Sequence, residues 1–129
     1  MMARMADKTT TLQQIKDAIT RVTEARDLSQ FHSPKNVACA IAAEAAELLE
    51  PFTWLTDGRE ILADPRKVEY LRHELADLLL LIAELANITG VDLSEAVAEK
   101  LKVIDEKYPV ERSRGKAIKW NELPPPSGA

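Results

Sequence analysis

The sequence predicts an all-α fold, a bundle of about four helices, and three observations carry that prediction. Apolar residues recur at steps of three and four in four separate segments, the spacing of one helical face. Capping residues bound most of these segments, with Ser, Asp or Thr at the starts and Gly or Pro near the ends. No stretch alternates apolar and polar residues as a half-buried strand would. At 129 residues the chain has the length of one domain, read here as residues 1–129 with 1–10 and 124–129 as mobile tails.

Thr11 precedes Leu12, Ile15, Ile19 and Val22, an amphipathic series predicting helix one to about Asp27. Helix two starts at Ser33-Pro34, where a hydroxyl caps orphan amides and proline has no amide to lose. It carries Val37, Ile41 and Leu48 and runs towards Trp54, with Pro51 ending or bending it. Thr56-Asp57-Gly58 is a turn signal, and the segment to Ala63 reads as a loop with some irregular helix. Asp64-Pro65 repeats the cap and proline and opens helix three, whose stripe of Leu71, Leu75, Leu78, Ile82 and Leu85 runs to Thr89 before Gly90 stops it. Asp92 and Glu95 cap helix four, with Val97, Leu101 and Ile104 expected to face inward until Tyr108-Pro109. Leu78 to Ile82 are consecutive apolar residues, more than one side of helix three needs. That helix is expected to be central and covered from a second side, in a homodimer or larger assembly.

The formal charge of -4 and pI near 5.2 argue against a polyanionic partner such as DNA or RNA. No run approaches the apolar length of a membrane span or a signal peptide, so a soluble cytoplasmic protein is expected. Cys39 is the sole cysteine, in an alanine-rich run that predicts a small buried thiol.

Glu44 and Glu47 stand three residues apart on helix two, as do Glu74 and Asp77 on helix three, so each helix presents a pair on one face. Either pair alone would be read as solvated surface acids. Two features together argue otherwise. Glu44 and Glu74 fall on the apolar stripes of their helices, and neither pair has Lys or Arg three or four positions away. Removing an unpartnered carboxylate from water costs several kcal/mol, a large part of a domain's net stability. Four such groups call for a cation, and an oxygen-only set suits Mg²⁺, Mn²⁺ or Ca²⁺ rather than zinc. His73 is adjacent to Glu74 and so points about 100° away, while His32 lies before helix two; both read as structural.

The order Glu-x-x-Glu, 26 residues, Glu-x-x-Asp resembles the metal signature of the MazG-like all-α nucleoside triphosphate pyrophosphatases. Phe31-His32-Ser33-Pro34-Lys35-Asn36, Phe52-Thr53-Trp54, Lys107-Tyr108-Pro109 and Ser113-Arg114-Gly115 resemble the branch that includes the dCTP pyrophosphatases. The resemblance implies a helical bundle, dimeric or tetrameric, in which Glu44, Glu47, Glu74 and Asp77 hold Mg²⁺, with Mn²⁺ as a substitute. The metal grips a nucleoside triphosphate while water attacks the α-phosphorus. Which acid takes the proton is not legible in the residues; Glu47 is the candidate general base. Trp54 is the candidate for stacking on the base, with a core or interface tryptophan as the alternative. Among Lys100, Lys107, Arg112 and Arg114, family position selects Lys100 and Arg114 for phosphate.

Three positions depart from the dCTP-selective pattern: Leu28 and Leu81 replace aromatics and Ile104 replaces asparagine. Cytosine preference is therefore not carried over. A dUTP or phosphoribosyl-ATP pyrophosphohydrolase, and a non-catalytic metal-binding helical module, are the rival readings.

Overall fold

Thr11 begins the first helix by a reciprocal cap: its hydroxyl accepts from the Gln14 amide at 3.2 Å while Gln14 Oε1 accepts from the Thr11 amide at 2.7 Å. In the computed structural model, which describes residues 4–126, the helix that follows is α1, Leu12–Ala25. It stops two residues short of the predicted end because Asp27 takes a left-handed φ of 53°, a conformation that a short polar side chain tolerates. A 3-10 turn, Ser29–Phe31, leads to α2, Pro34–Leu49, capped by Ser33 as predicted. Pro51 ends α2 in a further 3-10 turn, Glu50–Phe52, so Trp54 lies beyond the helix rather than on it.

The predicted irregular helix is the 3-10 segment Arg59–Ala63. The helix α3, Pro65–Thr89, has the bounds that Asp64 and Gly90 dictate: the Asp64 side chain accepts from the Arg66 amide, and Gly90 closes the end with φ 71°. The helix α4, Leu93–Lys107, is capped by Asp92, and a short α5, Val110–Ser113, precedes a 3-10 turn at Trp120–Glu122. Among the described residues all regular structure is helical. The outermost residues of the two expected tails, 1–3 and 127–129, lie outside the described ones.

The chain forms two compact units, residues 1–91 and 92–129. In the first, α3 is central, with both α1 and α2 packed on it. The Asn87 amide donates to the Lys16 carbonyl and to Thr20 Oγ1, each at 3.0 Å, fastening α1 to α3. In the second unit, Arg112 donates to the carbonyls of Leu123 and Pro124, so the tail is tied at its root.

Two expectations are corrected. Val97, Leu101 and Ile104 do not face inward; all three are exposed, because among the described residues of the second unit Leu123 is the one buried hydrophobic side chain and there is no apolar layer for them to join. Cys39 is exposed as well, on a face of α2 whose neighbours Ala38, Ala42 and Ala43 are also uncovered. Periodicity marks an apolar face but does not say what covers it.

Candidate metal centre

The helices α2 and α3 run antiparallel, and three contacts set their register. Near the start of α3, the Tyr70 hydroxyl donates to Glu50 Oε2 at 3.1 Å and to the Glu47 carbonyl at 3.4 Å. Further along, Glu44 of α2 meets Glu74 and Asp77 of α3. Beyond them His32, just ahead of α2, lies 3.0 Å from Glu84.

The middle contact brings together three of the four acids expected to share a cation. Glu44, Glu74 and Asp77 each bring a carboxylate oxygen to within 4.8 Å of the others. Glu47 is exposed and falls outside that trio, although its charge reaches it. Burial, followed by the charges of Glu47, Asp77 and Glu74, pushes the Glu44 carboxyl above its ordinary pKa. Glu74 is 7% exposed, and its Oε2 is buried with no hydrogen-bond partner. A buried carboxylate oxygen without a donor is unfavourable unless a proton or a cation takes the place of the donor. The nearby bases do not serve: Arg72 and His73 both turn to Glu69, at 3.0 and 3.1 Å. The donor set therefore fits a hard divalent ion, with oxygen ligands alone.

The remaining predicted residues are dispersed. Trp54 is 95% exposed, which removes a place in the core of this chain. Lys100 on α4 and Arg114 just after α5 are exposed in the second unit. Two other cations weighed for phosphate have partners of their own. Lys107 lies 5.4 Å from the centroid of the Trp120 ring, and Arg112 holds the tail carbonyls. Tyr70 and Glu50 were not singled out from the sequence, although the signal was present: Tyr70 precedes Glu74 by four and Glu50 follows Glu47 by three.

Fold and site together define an all-α protein built around an acidic centre with the donor chemistry of a hard-cation site. The chain belongs to the MazG-like family, which matches residues 39–123. It is similar to dCTP pyrophosphatase 1 of Rattus norvegicus, 36% identical over 116 residues, 88% of this chain and 68% of that protein. The Bos taurus protein of the same name is 38% identical over 117 residues, 88% of this chain and 69% of its own length. Among solved structures, a pyrophosphatase from Archaeoglobus fulgidus superposes with a TM-score of 0.71 at 28% identity, over 82% of this chain and 99% of that one.

Proposed function

We propose that this chain is a Mg²⁺-dependent nucleoside triphosphate pyrophosphohydrolase, converting an NTP or dNTP to the monophosphate and pyrophosphate. The observation that carries this reading is the convergence of Glu44, Glu74 and Asp77, with a buried Glu74 oxygen that lacks a donor. Kinship with dCTP pyrophosphatases supports the reaction class.

Bound Mg²⁺ supplies charge neutralisation on the phosphates and orients the leaving group. Glu44, Glu74 and Asp77 hold the ion, and Glu47 completes the set. Glu47 takes the proton from water, a role that its exposure supports. The water oxygen bonds to the α-phosphorus, the bond to the bridging oxygen of the β-phosphate breaks, and pyrophosphate departs. Trp54, an indole free of the core, stacks on the base. Lys100 and Arg114 meet phosphate oxygens; neither side chain has an ion pair among the described residues.

The chain acts as one pyrophosphatase domain within a homodimer or homotetramer. Support comes from α3, where Leu75, Leu79 and Ile82 form an exposed apolar stripe at steps of four and three. The exposure of this stripe supports cover by a second chain. No helix among the described residues is long and apolar enough to cross a membrane, and we place the enzyme in the cytoplasm.

The decisive experiment measures pyrophosphate release from each natural NTP and dNTP, dUTP and phosphoribosyl-ATP included, with Mg²⁺, with Mn²⁺ and in excess chelator. Turnover that needs the divalent ion is expected. Absence of turnover on every substrate returns the acids to a structural cation site, and full turnover after verified metal removal overturns the metal assignment.

A further inference from the structure

The functional stripe of α3 does not end at Glu74. Lys67 and Tyr70 precede it by seven and four residues, and those steps return to one side of an α-helix. Lys67 lies about 10 Å of helix rise from Glu74. With Glu50, Pro51, Asp64 and Arg66, the two residues line a cavity of about 400 Å³ beside the acidic centre.

Most charges in that cavity already have partners. Asp64 caps α3, accepting from the Arg66 amide at 3.0 Å with the Arg66 guanidinium 3.6 Å away. These contacts hold its carboxyl below the ordinary range. Glu50 takes the Tyr70 hydroxyl. Lys67 is half-buried and enters none of the ion pairs among the described residues. An ammonium in partial burial without a counter-ion favours an anionic ligand. The first turn of α3 does not supply that function, because Asp64 already accepts from the Arg66 amide.

We propose that Lys67 forms a subsite for the diphosphate end of the substrate. With the α-phosphate held at the carboxylate centre, the β- and γ-phosphates run back along α3, and Lys67 pairs with the group that leaves as pyrophosphate. Tyr70 holds the Glu50 carboxylate in a fixed position by donating to it at 3.1 Å. This proposal rests on the pyrophosphohydrolase reading.

Titration calorimetry of the full-length, Mg²⁺-saturated protein with inorganic pyrophosphate tests it directly, for wild type, Lys67→Met and Lys67→Arg. Mn²⁺ affinity, read by electron paramagnetic resonance, serves as the control. Lys67→Met is expected to weaken pyrophosphate binding about tenfold or more, as loss of a charge-assisted contact implies. Lys67→Arg recovers most of the loss, and Mn²⁺ affinity stays the same in all three proteins. Unchanged pyrophosphate affinity in Lys67→Met, no binding by the wild type, or a parallel loss of Mn²⁺ overturns the subsite. The failure of the underlying reading is a different result, absence of pyrophosphate release from every nucleotide by the wild type.

Discussion

His32 Nδ1 lies 3.0 Å from Glu84 Oε1, joining the segment before α2 to the distal half of α3 across 52 residues of sequence. Glu84 is buried while His32 is partly exposed, so the pair is asymmetric. His32→Ala strands a buried carboxylate and is expected to cost about 2 to 3 kcal/mol in urea unfolding. Glu84→Gln keeps an acceptor for the imidazole and leaves no buried charge, so a cost within about 1 kcal/mol follows. Equal losses from the two substitutions would show that the contact acts through packing and not through charge.

The raised pKa of Glu44 makes metal-free stability depend on pH in a defined direction. A carboxyl whose folded pKa exceeds its ordinary value of 4.5 binds its proton more tightly in the folded state. Stability from this group is therefore fully present below 4.5 and is lost as pH rises through the raised value. In chelator, wild type should gain thermal stability relative to Glu44→Gln as pH falls from neutrality towards the ordinary carboxylate range. Parallel profiles for the two proteins would remove Glu44 from the repulsive cluster. Divalent affinity should move the opposite way and weaken on acidification, because proton and metal compete for the same oxygens.

Trp54 permits a separation of binding from folding. At 95% exposure it contributes little packing, so Trp54→Ala should change unfolding free energy by no more than about 0.5 kcal/mol. If the indole stacks on the base, KM should rise about tenfold, since stacking is worth about 1 to 3 kcal/mol. An unchanged KM in the folded variant would assign Trp54 to the interface between subunits instead, where the same substitution would weaken assembly.

Much of this architecture was legible because its signals are local. Ser33-Pro34, Asp64-Pro65 and Gly90 fix helix ends through backbone chemistry within one turn, and the structure places α2 and α3 where those residues require. Acids without i±3 or i±4 bases raise the expectation that Glu44, Glu47, Glu74 and Asp77 share a cation; the structure brings Glu44, Glu74 and Asp77 together and leaves Glu47 outside that trio. The contacts that the sequence did not disclose are long-range. Nothing near Glu84 announces His32, and nothing near Glu50 announces Tyr70, because antiparallel register is set by packing along the full length of two helices. Exposure was the other illegible quantity. Val97, Leu101, Ile104 and Cys39 have the spacing or composition of buried residues, yet all four are exposed.

Glu47 gives the sharpest test of the centre. It lies one turn beyond Glu44 on α2, is exposed, and raises the Glu44 pKa by its charge while standing outside the trio that converges. Glu47→Gln removes that charge with little change of shape. In chelator the variant should be as stable as wild type or more so, because one source of repulsion on Glu44 is gone. Catalysis should respond in the opposite sense. An amide is a poorer Mg²⁺ ligand and cannot take a proton from water, so kcat and kcat/KM should both fall, by about 10²-fold or more. The expected outcome is a folded protein, unchanged by chelator, with turnover almost abolished. Near-normal kcat would place the base elsewhere, with Asp77 as the next exposed carboxylate of the cluster. Unfolding of Glu47→Gln without metal would make Glu47 a structural residue of α2.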